Sequence, residues 1–381
     1  MTPAPHAARR WSIAGIGAVA SNASGAGRLF DALCAGRSGL SPLRGFDAGR
    51  FRTRHAYEID DRPAGVDVPG RATQWLCDAV AEAVRDAGIG ADLSEIPVLV
   101  GTGLRELRSI ELRWTDTAEF PSSRWHFGTA LRERFGAATT YTVCNACSAS
   151  LYTLGMGADL LATGAEDTVV VAGVDSITTS MFGLMDRVQV DPVDRVRPFD
   201  RDRRGVLMGD GAAAVVLRRG GPATCWLRSV SLNCDAHSAT APDLAGIMAA
   251  IEDAQARAAI EPADVDVVLT HGTGTALNDD VEAIALAKVF AGPTRPLVTA
   301  IKSMTGHTSG ASGLMSVVVA AQILRAGRIP PIAGLTEPTD EARDLRLVTD
   351  TTTCPDVALA QVQAFGFGGV NAVAIVEKGD R

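Results

Sequence analysis

A disulfide framework is the first thing this chain lacks. Its seven cysteines, at 34, 77, 144, 147, 225, 234 and 354, are odd in number and irregular in spacing. That excludes a stapled secreted scaffold and fits a reducing, cytoplasmic compartment. No stretch reaches about 18 uncharged apolar residues, so neither a transmembrane helix nor a membrane partner is expected. The Pro/Ala/Arg-rich start, Met1 to Arg10, is followed by no apolar signal core. Excess positive charge is missing too. The net charge is −8, which argues against a nucleic-acid partner, although Arg201, Arg203 and Arg204, and Arg105, Arg108 and Arg113, form local basic clusters. No low-complexity linker divides the 381 residues. The only CxxC pair is Cys144–Cys147, so a structural zinc site would be short of ligands.

What is present is apolar and glycine-rich. Hydrophobic residues make up 46% of the chain, and many of its 39 glycines cluster in GTG, GGV and GASG runs, where backbone turns sharply or meets a ligand closely. Strand-like and helix-like segments alternate, which predicts an α/β architecture. Trp11 to Val19 reads as a strand and Arg28 to Ala35 as a helix. Residues 73–87 carry a helical apolar stripe through Leu76, Ala79, Val80, Ala83, Val84 and Ala87. Val98 to Val100 is then a strand entering Gly101-Thr102-Gly103. The second half repeats the order: a helix through about residue 259, a strand Val265 to Leu269, then Gly272-Thr273-Gly274. Thr140 to Val143 leads to Cys147 and a helix, as Leu297 to Ile301 leads to His307 and a helix. Two related α/β halves are expected, 1–220 and 221–381, divided near Gly220-Gly221-Pro222, with a site where their loops meet. The segment Gly103 to Ala138 reads as an irregular covering insertion.

Three residues carry candidate chemistry. Cys147 opens a small-residue helix, where unpaired N–H groups and the helix dipole favour thiolate, the nucleophilic form. On position alone a plain buried cysteine, or redox chemistry with Cys144, is also compatible. His271 lies in Thr270-His271-Gly272-Thr273-Gly274-Thr275 at a strand end, where α/β sites lie. His307 lies before Ser309-Gly310-Ala311-Ser312-Gly313. A core histidine is the bland alternative for either, but both occupy glycine-rich strand-to-helix junctions, which points to a shared site. One cysteine and two distant histidines suggest covalent thioester chemistry. Thr273 and Thr275 could bond an amide-bearing ligand arm. Lys302, in a glycine-rich buried setting, needs a partner, and Glu282 is the candidate; the alternative is that both are solvated. Phe365-Gly366-Phe367-Gly368-Gly369-Val370-Asn371 precedes a closing strand, Ala372 to Val376. Its phenylalanines could gate an apolar channel and its N–H groups could serve an oxyanion hole, or it could be only a turn with core aromatics.

Taken together these residues resemble the elongating β-ketoacyl-acyl-carrier-protein synthases. HGTGT, KSMTGH and FGFGGVN occur in the family's order, after an opening Trp11-Ser12-Ile13-Ala14-Gly15-Ile16-Gly17 and a middle stretch from Arg197-Pro198-Phe199-Asp200 to Met208-Gly209-Asp210-Gly211-Ala212. The resemblance covers nearly the whole chain. It implies a thiolase fold, two pseudo-symmetric α/β halves layered α-β-α-β-α. It implies Cys147 as acyl-accepting nucleophile and His271 and His307 as the pair that holds the malonyl thioester. Lys302 and Glu282 would be the structural lysine and its acidic partner, Thr273 and Thr275 the contacts to phosphopantetheine, and Phe365 and Phe367 the residues of the gating motif, Phe367 being the gate. The backbone N–H groups of Cys147 and Phe367 would form the oxyanion hole. No metal and no cofactor is implied beyond the substrates' own phosphopantetheine. An acidic acyl carrier protein is the implied partner, docking on Arg201, Arg203 and Arg204, and the enzyme would be a homodimer or pair with a ketosynthase-like subunit.

The chain departs from the family at Ser21-Asn22-Ala23-Ser24, at Ala276 after HGTGT, at Cys144, and in shorter stretches before Cys147 and between Ser176 and Arg197. These differences suggest polyketide or specialised fatty-acid synthesis. A ketosynthase-like acyltransferase or cyclase acting without decarboxylation is the alternative. A silent chain-length-factor subunit is opposed by the intact Cys147, His271, His307 and Lys302. A degradative thiolase is opposed by the setting of Cys354, which lacks the expected glycines.

Overall fold

The computed structural model describes residues 10–379, so the Met1 to Arg9 part of the start lies outside the described residues. Its main strands are β1 (Trp11–Ala20), β2 (Val98–Thr102), β3 (Thr140–Cys144), β4 (Thr168–Asp175) and β5 (Gly211–Arg218) in the first half, then β6 (Cys225–Cys234), β7 (Val267–Leu269), β8 (Leu297–Thr299), β9 (Leu359–Gly366) and β10 (Val370–Lys378) in the second. The helices are α1 (Ala26–Cys34), α2 (Arg71–Asp86), α3 (Leu107–Trp114), α4 (Gly128–Phe135), α5 (Ala149–Thr163), α6 (Thr179–Val188), α7 (Leu244–Ala258), α8 (Ala276–Val289), α9 (Lys302–Thr305) and α10 (Ser312–Ala326).

The strands order as β1-β5-β4-β2-β3 in the first half and β6-β10-β9-β7-β8 in the second, the same path twice. In both, the strand before the glycine loop pairs in parallel with two neighbours, and the remaining pairs are antiparallel. The halves join edge to edge where Trp11, Ser12 and Ile13 pair with Leu227, Trp226 and Cys225. This doubled mixed sheet is the expected α/β fold.

Helices α5 and α10 pack between the halves, each against strands of both, while α2 covers the first half and α7 and α8 the second. Close approach explains the opening glycines. A Cβ on Gly15 would fall 2.2 Å from the Ala83 carbonyl oxygen, and one on Gly17 2.1 Å from that of Ala79. The α2 backbone therefore lies directly on β1. The central position of α10 explains its composition. Ser309–Ala326 has the length and hydropathy of a membrane span, yet it is 83% buried inside the protein, as a helix apolar on every side must be.

One expectation is corrected. The stretch between Gly103 and Ala138 is not an irregular cover, because it folds into α3 and α4. Phe127, Leu131 and Phe135 lie one helical turn apart and are buried with Trp75, Leu76 and Val80 of α2. Trp114, by contrast, is exposed. The proposed boundary falls in the β5–β6 connection, where Gly220 and Gly221 both take positive φ.

Candidate active site

Cys147 sits in a 3₁₀ turn, Ala146–Ser148, that runs into α5. The preceding Ala146 is held at φ 47°, a left-handed geometry that alanine adopts at a cost of about 1–3 kcal/mol. The sharp turn directs the sulfur toward the second half. There His307 Nε2 lies 3.0 Å from Cys147 Sγ. The backbone N–H groups of Phe367 and Cys147 also bear on the sulfur. Gly366 leaves little room to spare at this contact: a Cβ would stand 3.2 Å from the Cys147 nitrogen and 3.3 Å from the Ala146 Cβ.

The His307 backbone is pinned between Leu207 and Gly209, its N–H donating to the Leu207 carbonyl at 2.8 Å and its carbonyl accepting from Gly209 at 3.0 Å. The His271 ring meets the His307 ring edge-on, centroids 5.4 Å apart, and Phe365 closes the other side at 5.8 Å. Lys302 Nζ is 3.4 Å from His271 Nδ1 and donates to the His271 carbonyl. An ammonium has no acceptor capacity, so the tautomer assigned to His271 carries its proton on Nε2. The structure thus brings Cys147, His271, His307, Lys302 and the Phe365–Phe367 segment together.

Electrostatics correct one expectation. Burial pushes the Cys147 thiol up to about 11, against the pull of the Lys302 charge and the two N–H groups, and with Asp175 pushing the same way. Desolvation of a thiolate outweighs the Lys302 charge and the two N–H groups here, so the resting group is a thiol. Burial also lowers Lys302 to about 8, against the support of Glu282, Cys147 and Asp279. Burial, then the Lys302 charge, lowers His307 to about 3 and His271 well below the usual imidazole range. Both rings are therefore neutral at physiological pH.

Glu282 is not in contact with Lys302, and no ion pair joins them among the described residues. Its carboxylate accepts the backbone N–H groups of His271 at 2.7 Å and Gly272 at 2.8 Å, with Asn278 Nδ2 at 3.1 Å. It holds the histidine loop and reaches the lysine only through space. Thr273 and Thr275 hydroxyls lie 2.9 Å apart, and Thr275 caps α8 by accepting from Asn278 N–H. Phe367 is 50% exposed, whereas Phe365 is buried.

Asp279 was missed. It accepts from Thr273, Gly274 and Phe199 N–H groups and ties the glycine loop to the Arg197–Asp200 stretch. Its signal was readable, since acids in a first helical turn commonly serve the loop before it. Asp175 was missed as well, and nothing in its strand announces it. The basic docking cluster is largely neutralised: Arg201 pairs with Glu337 and Asp340, and Arg203 with Asp280. In the other cluster, Arg108 pairs with Asp67 and Glu111.

The family model described as "Beta-ketoacyl synthase, N-terminal domain" matches residues 8–223, and "Beta-ketoacyl synthase, C-terminal domain" matches 224–336. A tetracenomycin polyketide synthase ketoacyl synthase alpha subunit of Streptomyces glaucescens is 29% identical over 98% of both chains. A 3-oxoacyl-[acyl-carrier-protein] synthase 2 of Coxiella burnetii is 26% identical over 97% of this chain and 99% of that one. A solved structure described as the ishigamide ketosynthase/chain length factor has a TM-score of 0.88 at 30% identity, covering 98% of this chain and all of that one. A cysteine turn facing two neutral imidazoles across a duplicated α/β sheet, in a chain matched over nearly its whole length by these relatives, makes the chain a thiolase-fold member of the β-ketoacyl synthase family.

Proposed function

We propose that the protein joins an acyl group held on Cys147 to a malonyl unit carried by an acyl carrier protein, with loss of CO2, in polyketide or specialised fatty-acid biosynthesis. The observation that carries this is the 3.0 Å contact between Cys147 Sγ and His307 Nε2, with neutral His271 beside it. In the first half-reaction the thiol proton leaves toward His307 as sulfur attacks the acyl thioester. The carbonyl oxygen becomes an oxyanion against the N–H groups of Cys147 and Phe367. The carrier's thiol departs with the proton, and the acyl group stays on sulfur.

In the acyl-enzyme the sulfur has no proton to give, and His307 donates from Nε2 once its ring proton has moved there from Nδ1 by exchange with solvent. His271, with Lys302 at Nδ1, already presents Nε2–H. The two rings then hold the malonyl thioester oxygen while the carboxylate leaves as CO2 and its electron pair forms the enolate. Neutral donors suit this step, since an imidazolium at the same place would hand its proton to the enolate oxygen and weaken the carbon nucleophile. The enolate carbon attacks the acyl carbonyl, the C–S bond breaks, and Cys147 leaves as a thiolate that takes a proton from solvent. No cofactor is required by this route. Thr273 and Thr275 would steady the phosphopantetheine arm, and Phe367 would gate it.

The partner is taken as an acyl carrier protein, and the assembly as a homodimer or a pair with a ketosynthase-like subunit. Likeness to a ketosynthase/chain length factor structure supports the second arrangement. The free cysteines support a reducing, cytoplasmic setting.

Incubation with acyl-carrier thioesters should add the acyl mass to the Cys147 peptide, and Cys147→Ser should reduce that uptake by at least about a hundredfold. Malonyl carrier should then release CO2 and extend the chain by a two-carbon unit. Acyl transfer or cyclisation with no CO2 would favour the non-decarboxylative alternative.

A further inference from the structure

The turn before the inner helix is built twice. Ala146 and Ser309 both take φ 47°. Each opens a three-residue 3₁₀ turn leading into a fifteen-residue helix, and each helix closes on a left-handed glycine, Gly164 or Gly327. The same sequence interval puts Gly310 opposite Cys147. The neighbouring strands correspond as well. β4 and β9 have eight residues each, and Asp175 ends the first where Gly366 ends the second.

The two strand ends treat their turns oppositely. Beside Cys147, Gly366 has no side chain, and a Cβ there would stand 3.2 Å from the Cys147 nitrogen. Beside Gly310, the Asp175 carboxylate fills the corresponding place. Oδ2 accepts from Gly310 N–H at 2.6 Å and Gly103 N–H at 2.7 Å, and Oδ1 from Leu104 N–H at 2.8 Å and Thr102 Oγ at 2.7 Å. The side chain is buried, and no cation pairs with it among the described residues.

We propose that Asp175 is a positioning residue: its carboxylate occupies the pseudo-symmetric counterpart of the oxyanion hole and locks the turn after His307 to the strand ends flanking Cys147. Three of its donors belong to the first half and one to the second, so the carboxylate is a tie between halves. Backbone approach there is close, a Cβ on Gly310 falling 2.6 Å from the Gly103 nitrogen. His307 lies three residues before Gly310 and must hold Nε2 within reach of Cys147. Acceptors lost at Gly310 therefore become misplacement at His307.

The charge has a second consequence. Asp175 opposes the thiolate at Cys147, while Lys302 favours it. The other titratable groups facing the sulfur, His307 and His271, are neutral. Arg105 and Cys144 stand on the Asp175 side, and Glu282 and Asp279 on the Lys302 side.

The test uses Asp175→Asn, which keeps the shape and removes the charge, and Asp175→Gly, which empties the place and admits formate as probe. Iodoacetamide alkylation of Cys147 is followed against pH, and acyl uptake from an acyl thioester in a single turnover. The expected result is opposite movement. The alkylation midpoint falls to lower pH in both variants, while acyl uptake drops by at least roughly tenfold through lost alignment. Formate restores both readouts, and raises the melting temperature, in Asp175→Gly but not in the native protein. A folded Asp175→Asn with an unmoved midpoint and native acyl uptake overturns the assignment, and so does indifference of Asp175→Gly to formate. Acyl uptake rests on the proposed function. Should the native protein take up no acyl group, that reading falls, and the alkylation and formate results still decide this one.

Discussion

Burial holds the proton on Cys147 up to about 11, and the thiol faces a neutral ring nitrogen 3.0 Å away. On the proposed mechanism, reactivity is thereby tied to the incoming thioester, whose oxygen takes up charge against the N–H groups as sulfur attacks. Alkylation by a neutral electrophile should accordingly rise about tenfold per pH unit from 7 to 10, following the thiolate fraction. A plateau near pH 8 would show instead that the helix N-terminus wins over burial. Cys147 was readable in the chain because it stands between a strand and a small-residue helix, and His271 and His307 because each lies in a glycine-rich junction, where few structural roles need a polar side chain. Asp175 was not, since it closes an ordinary apolar strand and acquires its meaning from Gly310, 135 residues away.

Junctions, rather than whole strands or helices, carry the chemistry at the element scale. β9 must end in glycine so that the Phe365–Phe367 segment can lie against the Cys147 turn. In Gly366→Ala the added methyl meets the Cys147 nitrogen at 3.2 Å and Val370 Cγ2 at 2.9 Å. Acyl transfer should fall by about 10²–10³, as for loss of an oxyanion donor, and the melting temperature should change far less. Steady-state kinetics beside a thermal melt separate the two. Equal loss of folding and activity would mean that the glycine serves packing alone. The α3–α4 stretch shows where reading elements from the chain fell short. Phe127, Leu131 and Phe135 have helical spacing, but an eight-residue helix offers a single stripe, and the Pro121, Ser122 and Ser123 run beside it reads as loop.

At the scale of the whole molecule, the two halves share an interior. α5 and α10 each face both, and Leu314 N–H donates to Ser150 Oγ across the seam at 3.0 Å. A half alone would expose the inner face of its sheet and one side of its helix. Scanning calorimetry of the full chain should therefore show one cooperative transition, and residues 1–220 expressed alone should fail to fold. Two separate transitions, or a soluble folded fragment, would show that the seam contributes little. Surface charge is also decided at this scale. Arg201 and Arg203 look free along the chain, but folding delivers Glu337, Asp340 and Asp280 to them.

Local pattern by itself determined the doubled α/β order, the Cys147 turn and both histidine loops, because strand periodicity, glycine placement and small-residue helices are short-range properties. Tertiary structure alone decided the ionisation of Cys147, the backbone donors that Glu282 accepts and the tie made by Asp175. Each depends on desolvation or on a donor supplied from far along the chain, and both exist only once the halves have closed on one another.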